Sequence, residues 1–280
     1  MAKKWTAIIE PPKKLVDLKL KEVWQYRDLI LLFVKRDFTT RYKQTVLGPL
    51  WFLIQPLFIT LTQTFVFGNI AKLSTDGLPQ ILFYMGGNVL WLYFSTCLLS
   101  TSNTFTANAR LFGKIYFPRL TTPIATAISS LINFLIQFLM FLGFVLFYII
   151  AGANVQITWI AALTPLIVLQ IAILGTGCGI IVSALTTKYR DLQVMVSFGV
   201  MIWMYLSPVI ISGSSLSEPL YRLMMLNPVS PAIELMRYGW LGSGTTPFVY
   251  WGISWVVSIL IFLLGAILFN RVEKTFMDTV

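Results

Sequence analysis

The side chains best placed to bind something in this 280-residue chain carry no charge. Gly48, Trp51, Gln55, Phe58, Thr62, Phe65 and Asn69 recur at spacings of three and four, so they share one face of a helix. Tyr84, Asn88, Trp91, Ser95 and Ser102 repeat the pattern, and Thr126, Ser130, Asn133 and Gln137 repeat it without aromatic rings. Rings interleaved with amides and hydroxyls suit sugar: the rings stack on the apolar face of a pyranoside while the amides bond its hydroxyls. The competing reading is contact between helices, because buried Asn, Gln, Ser and Thr commonly bridge neighbouring membrane spans. The third stripe fits bridging, and the two aromatic stripes fit a pathway. Gly175, Gly179 and Ser183 form a face of small residues suited to close packing of helices.

Other chemistry is excluded by what is missing. Histidine is absent, which removes imidazole bases, Ser-His and Cys-His nucleophiles, histidine-ligated haem and most zinc or copper sites. Cys97 and Cys178 lie in apolar runs and read as buried thiols. The Gly113-Lys114 pair is followed by Ile115 and lacks the upstream glycine of a Walker A phosphate loop, so the chain is not expected to hydrolyse nucleotide. No apolar run holds a carboxylate that could carry a proton, so work must come from elsewhere, such as a partner protein. A membrane-embedded transferase or hydrolase would want a carboxylate base or a metal cluster, and neither is visible.

The elements that must position these residues follow from composition. The chain is 57% hydrophobic and 11% charged, with mean hydropathy +0.78, against about 25% charged for soluble domains. Six uncharged apolar runs, at roughly 47–68, 81–103, 120–150, 158–186, 193–211 and 248–269, predict an all-α, polytopic integral membrane protein with six transmembrane helices. Gly48-Pro49 marks the entry to the first, where proline costs no hydrogen bond. Segments 1–46, 104–119, 187–192 and 270–280 hold 11, 3, 2 and 2 Lys/Arg, whereas 69–80, 151–157 and 212–247 hold 1, 0 and 2. Eighteen cations against three put both termini on the cytoplasmic side. The net charge of +10 then belongs to that face and not to a nucleic-acid site. The N-terminus is basic but lacks the apolar core of a cleaved signal peptide, so the first span is expected to direct insertion.

Residues 1–46 form a basic cytoplasmic segment in which Val23, Tyr26, Ile30 and Phe33 predict an N-terminal amphipathic interface helix along the inner membrane surface; residues 47–280 form the transmembrane domain. Glu218 to Leu226 and Pro231 to Leu241 each predict a short helix, with Ser217 and Ser230 as N-caps and Asn227-Pro228 as the break. Neither can cross the bilayer, yet both carry large apolar residues, which predicts a short re-entrant helical hairpin between helices 5 and 6. Two helices lying flat on the outer surface are the alternative. The segment 104–119 sets Arg110, Lys114 and Arg119 among Leu111, Phe112, Ile115, Tyr116 and Phe117, ends at Pro118, and suits either an acidic partner groove or lipid headgroups.

Arg41-Tyr42-Lys43, the stretch Leu47-Gly48-Pro49-Leu50-Trp51 to Pro56, Phe117-Pro118-Arg119, Lys188-Tyr189-Arg190-Asp191-Leu192 and Asn227-Pro228 with Ser230-Pro231 together resemble the permease subunits of ABC-type polysaccharide exporters, the O-antigen, capsule and teichoic-acid group. The resemblance covers nearly the whole chain. It implies a permease of a bacterial cytoplasmic (inner) membrane that is not itself an enzyme. It implies a homodimer with two ATP-binding subunits on the cytoplasmic side; ATP and Mg reside there, and this chain holds no cofactor. It implies a lipid-linked glycan as substrate, with Trp51, Gln55, Phe58, Tyr84, Asn88 and Trp91 lining the channel and Arg36, Arg41 and Lys43 meeting the carrier's diphosphate. Arg110, Phe112, Lys114 and Tyr116 would contact the ATPase, and Tyr221, Asn227 and Pro228 would sit at an outer gate. A permease for a drug or lipid, and a membrane-embedded enzyme or envelope scaffold, are the alternatives.

Overall fold

The computed structural model describes residues 20–42, 48–112, 117–186 and 191–279, and every described element is helical. Two helices precede the apolar part, α1 (Leu20–Gln25) and α2 (Arg27–Tyr42). Then follow α3 (Trp51–Gln63), α4 (Gln80–Ser102), α5 (Thr104–Phe112), α6 (Thr121–Ile150), α7 (Thr164–Thr186), α8 (Leu192–Tyr205), α9 (Glu218–Leu226), α10 (Ser230–Leu241) and α11 (Phe248–Thr279). Five helical stretches are long and apolar enough to cross a membrane: Trp51–Ile70, Gln80–Ser102, Thr121–Ile150, Trp159–Thr186 and Phe248–Phe269. The chain is a multi-pass membrane protein.

The fifth apolar run, expected to be continuous over 193–211, is helical only over the 14 residues of α8. Asp191 starts it by accepting a hydrogen bond from the backbone N–H of Leu192 (3.1 Å). Pro208 accounts for the end, because a proline disfavours helical backbone just before it and has no N–H to continue the ladder. The chain then turns, with Val209 and Ile210 buried as apolar plugs. Hydropathy alone sees one run where there are two structures.

The bundle is organised around α4, which is buried along most of its length and touched by α3, α6, α7, α8 and α10. The row of small residues on α7 explains how two of these helices come so close. A Cβ on Gly179 would meet the Thr101 Cβ at 2.6 Å and the Leu98 carbonyl oxygen at 2.7 Å, so only glycine permits this crossing of α4. Ser130, Asn133 and Gln137 are buried on α6, in keeping with the bridging reading of that stripe.

At the end of the bundle where α2 lies, Val23, Ile30, Phe33 and Val34 pack with Phe105, Phe112, Phe117, Leu120 and Ala125. The apolar face assigned to the membrane surface is thus covered by the protein's own α5 and α6, and it is Trp24, Leu31 and Leu32 that point outward. The two short helices lie where the sequence puts them, with Pro219 and Pro231 in their first turns, but not on the expected caps. Ser217 precedes α9 without a side-chain cap bond, and α10 starts one residue early, so that Val229 is its N-cap and Ser230 its first residue. They differ in burial: α10 is enclosed, while α9 exposes Leu220, Leu223 and Leu226.

Gly179→Val should therefore wedge α7 from α4, at a cost of roughly 1–3 kcal/mol or more. Thermal unfolding of the detergent-purified protein should show a Tm several degrees lower. Gly143→Ala, where an added Cβ meets nothing within 4 Å, should leave Tm unchanged or higher.

Candidate functional site

Along α3 the spacing signal corresponds to a real surface. Trp51, Gln55, Phe58, Thr62, Phe65 and Asn69 are all exposed, Trp51 at 49% and Phe58 at 65% of their full areas. The opposite face, Pro56, Thr60 and Gln63, is buried against α4. Past Gln63 the winding widens to a π-type turn over Thr64–Ile70, in which the Ala71 N–H reaches the Val66 carbonyl (2.9 Å). Such wide turns often occur at functional sites.

Tyr84, Asn88 and Trp91 occupy a different place. All three are buried on α4, on the far side of α3 from Trp51, Gln55 and Phe58. The Asn88 amide donates to Gln63 Oε1 (2.6 Å) and Thr60 Oγ1 (3.1 Å). Trp91 packs on Phe94, which meets Trp203 edge-on. Asn88 therefore clamps α3 to α4 and fixes which face of α3 turns outward. A sequence stripe does not distinguish this from a lining, because a helix wrapped on every side also repeats at three and four.

At the end of the bundle formed by α9, α10 and the loops 71–79, 206–217 and 242–247 lies a polar node. Glu234 and Arg237, one turn apart on α10, are fully buried and paired at 2.9 Å. The guanidinium stacks over Phe83 at 3.9 Å from the ring centroid and donates to the Pro208 carbonyl. Room for it is left by Gly87 of α4, where a Cβ would lie 3.0 Å from Arg237 Nη2 and 3.1 Å from the Val209 Cα. Glu234 also accepts from the Gly213 N–H (3.4 Å), the Thr245 N–H (3.3 Å) and the Thr245 hydroxyl (2.9 Å). Asp76 accepts from the hydroxyls of Ser212 and Ser214, and its carbonyl from that of Ser243. Burial pulls the Arg237 pKa down, and Glu234, then Asp76 and Tyr84, oppose this. The node ties five segments together with internal charge compensation, the condition under which buried ions are tolerated.

The residues expected at an outer gate are each held by hydrogen bonds, Tyr221 beside this node. Tyr221 donates to the Thr245 hydroxyl (3.3 Å); burial raises its pKa, with the Thr245 bond opposing and Glu234 adding. Asn227 accepts from Trp203 Nε1 (3.0 Å) and donates to the Ser207 hydroxyl (2.8 Å) and the Leu206 carbonyl (3.3 Å), joining the end of α8 to the start of α10. The Pro228 carbonyl accepts from Gln170 of α7 (3.2 Å) and Ser254 of α11. The sequence reading missed Glu234, Arg237 and Asp76, counting them only in the charge balance between the apolar runs. The signal available was an acid and a base three apart within an otherwise apolar helix.

At the opposite end, Arg36 is 46% exposed, pairs with Asp37 (2.8 Å), stacks on Phe33 and reaches Asn108 of α5 (3.4 Å). Phe112 is buried between Phe105 and Phe117 with Arg119 over its ring. Lys43, Lys114 and Tyr116, and the side chains of Arg41 and Arg110, lie outside the described residues. Among the described residues, no group of three or more Cys, Asp or Glu could hold a metal ion, and Cys97 and Cys178 are separate free thiols.

Residues 28–241 match the ABC-2 type transporter family. The chain is 25% identical over 264 residues to an "O-antigen export system permease protein RfbA" of Klebsiella pneumoniae, covering 94% of this chain and 99% of that protein. It is 26% identical over 217 residues to a protein of the same description from Myxococcus xanthus, covering 78% and 80%. It is 25% identical over 203 residues to the "Polysialic acid transport protein KpsM" of Escherichia coli, covering 72% and 77%.

The buried pair yields a test. Arg237→Met leaves the Glu234 carboxylate without its counter-ion, and removing one partner of such a pair costs about 3–5 kcal/mol. A Tm drop on the order of 10 °C is expected for the purified protein. Glu234→Gln combined with Arg237→Met should recover at least half of that loss, read as a double-mutant cycle.

Proposed function

The chain belongs to the ABC-2 type transporter family, and on that footing we propose that it is the permease subunit of an ABC exporter of polysaccharide, driven by ATP hydrolysis on a separate subunit. The observation that carries the reading is the exposed α3 face. Gln55, Thr62 and Asn69 stand unenclosed along a helix of membrane-spanning length, between Trp51, Phe58 and Phe65. Hydrocarbon offers amides and hydroxyls no partner. A wet path carrying glycan gives the polar groups hydroxyls to bond and the rings pyranoside faces to stack on. The descriptions of the relatives, O-antigen and polysialic acid export, support the same cargo class.

In this reading residues 1–46 are a cytoplasmic segment with its interface helix, and 47–280 are a six-span domain in which α8 and the turn through 211 make the fifth crossing. Both termini are cytoplasmic at a bacterial inner membrane, which the cation asymmetry supports. Two copies face each other and two ATPase subunits, with ATP and Mg, dock beneath them. Trp51, Gln55 and Phe58 line the channel, with Tyr84, Asn88 and Trp91 setting their orientation from behind. Arg36, Arg41 and Lys43 meet the diphosphate of a lipid-linked glycan. Arg110, Lys114 and Tyr116 contact the ATPase while Phe112 anchors their segment. The α9–α10 hairpin re-enters from the outer side as a gate, with Tyr221, Asn227 and Pro228 at its joints.

Deleting the gene should make a glycan accumulate inside the cell, and complementation should restore its export. Trp51→Ala with Phe58→Ala removes two stacking surfaces worth about 1 kcal/mol each. Surface glycan should fall roughly 10-fold or more at unchanged permease level. Arg41→Gln with Lys43→Gln should cut both export and substrate-stimulated ATPase activity. Normal export in the deletion strain, or ATP hydrolysis by the purified chain alone, would overturn the assignment.

A further inference from the structure

A second apolar concavity lies away from the α3 face, between α6 and α7. Both helices pack on α4, and they meet each other little along their length. α6 turns Ser130, Asn133, Phe134 and Gln137 inward, and α7 turns Ile167, Ile171 and Leu174 inward. The space left between them has a volume of about 890 Å³. Small residues on both walls make it hollow: Ala127 on α6, and Ala161, Ala162 and Ala172 on or just before α7. Tyr93 of α4 and Phe262 of α11 also line it, and no charged side chain does so.

We propose that this groove is a binding site for an acyl chain of a bilayer phospholipid, one per protomer, held by its hydrocarbon and not by its headgroup. Three observations fix the occupant. The two walls, Ile124 to Phe138 on α6 and Ala161 to Thr176 on or just before α7, lie within membrane-spanning stretches, so molecules dissolved in the bilayer reach the groove from the side. The fifteen residues from Ile124 to Phe138 make about 22 Å of helix, enough to take a full chain from one leaflet, about 15 Å deep. The lips, Ile128, Leu135 and Leu169, are themselves exposed, which leaves the groove open sideways to lipid. The polar atoms at one end are already engaged: Trp240 Nε1 donates to the Thr164 hydroxyl (2.9 Å), which donates to the Ala161 carbonyl (2.6 Å). At the other end the Thr176 hydroxyl has no partner but is itself buried, so no exposed polar atom or charge of the lining is left there to select a headgroup. The chain acts as a shim that supplies the contacts α6 and α7 do not make with each other.

The test uses the full-length protein with its ATPase partner. In vesicles of phosphatidylethanolamine and phosphatidylglycerol, a phospholipid with a photoreactive acyl chain should label peptides covering 124–138 and 161–176 several-fold more than the outward face around Leu139 and Phe147. Native mass spectrometry should find a retained phospholipid per chain, with equal occupancy by the two headgroup classes. Ala172→Phe should lower that retention by at least half. Equal labelling of groove and outward face means ordinary annular lipid and overturns the proposal. So does a strong headgroup preference, or cross-linking between copies through cysteines placed at Leu135 and Leu169, which would make the groove a protein interface. If Ala172→Phe fails to fold, the labelling ratio on the unaltered protein still decides.

Discussion

Hydrocarbon does not answer a hydrogen bond, and most of this structure is a response to that fact. Each polar side chain in the spans must find its partner within the protein or leave lipid altogether. Asn88 finds Gln63 and Thr60 and thereby locks α3 to α4. Gln170 finds Ser254, Ser258 and the Pro228 carbonyl, joining α7, α11 and the break between the short helices. Single bonds of this kind contribute about 0.6 kcal/mol on average in membrane proteins, so their value here lies less in stability than in specifying which faces meet. The α3 stripe stands out against this background, because its amides are left outside the protomer.

The same rule explains why the one fully buried ion pair among the described residues sits where it does. Glu234 and Arg237 lie on a helix too short to cross, beside loops whose N–H groups and hydroxyls can be aimed at the carboxylate. Placed in the middle of α6, the pair would have had no loop N–H groups to draw on, because the backbone there is committed to the helix. At this end it gathers the loops 71–79, 206–215 and 242–247 around Phe83, so that α10 belongs to the core while its companion α9 is held mainly through Tyr221, Met225 and the Asn227 joint. Of the two short helices, α10 is thus enclosed and α9 largely exposed.

Much of the fold was legible from hydropathy and the placement of proline. Five of the six runs became helices of spanning length, and Pro219 and Pro231 marked the short pair to within a residue. The limits have physical causes. Hydropathy reads Val209 and Ile210 as a continuation of α8, although Pro208 has already turned the chain and these residues plug a loop. Period three-to-four marks Trp51, Gln55 and Phe58 correctly as one face, yet marks Tyr84, Asn88 and Trp91 in the same way, since a central helix has the same repeat as an open one. Val23, Ile30 and Phe33 read as lipid-facing because a pattern reports that a face is apolar, not what covers it. Glu234 and Arg237 escaped notice because charge suggests exposure unless the partner is known.

The absence of charge from the spans also bears on energetics of another kind. Moving one elementary charge across a membrane held at 100 mV involves about 2.3 kcal/mol. The spans of this chain contain no Asp, Glu, Lys or Arg, and Glu234 and Arg237 travel as a neutral couple. Tilting or sliding of these helices therefore transfers no gating charge. The five long spans thus offer a transmembrane potential no side-chain charge to act on.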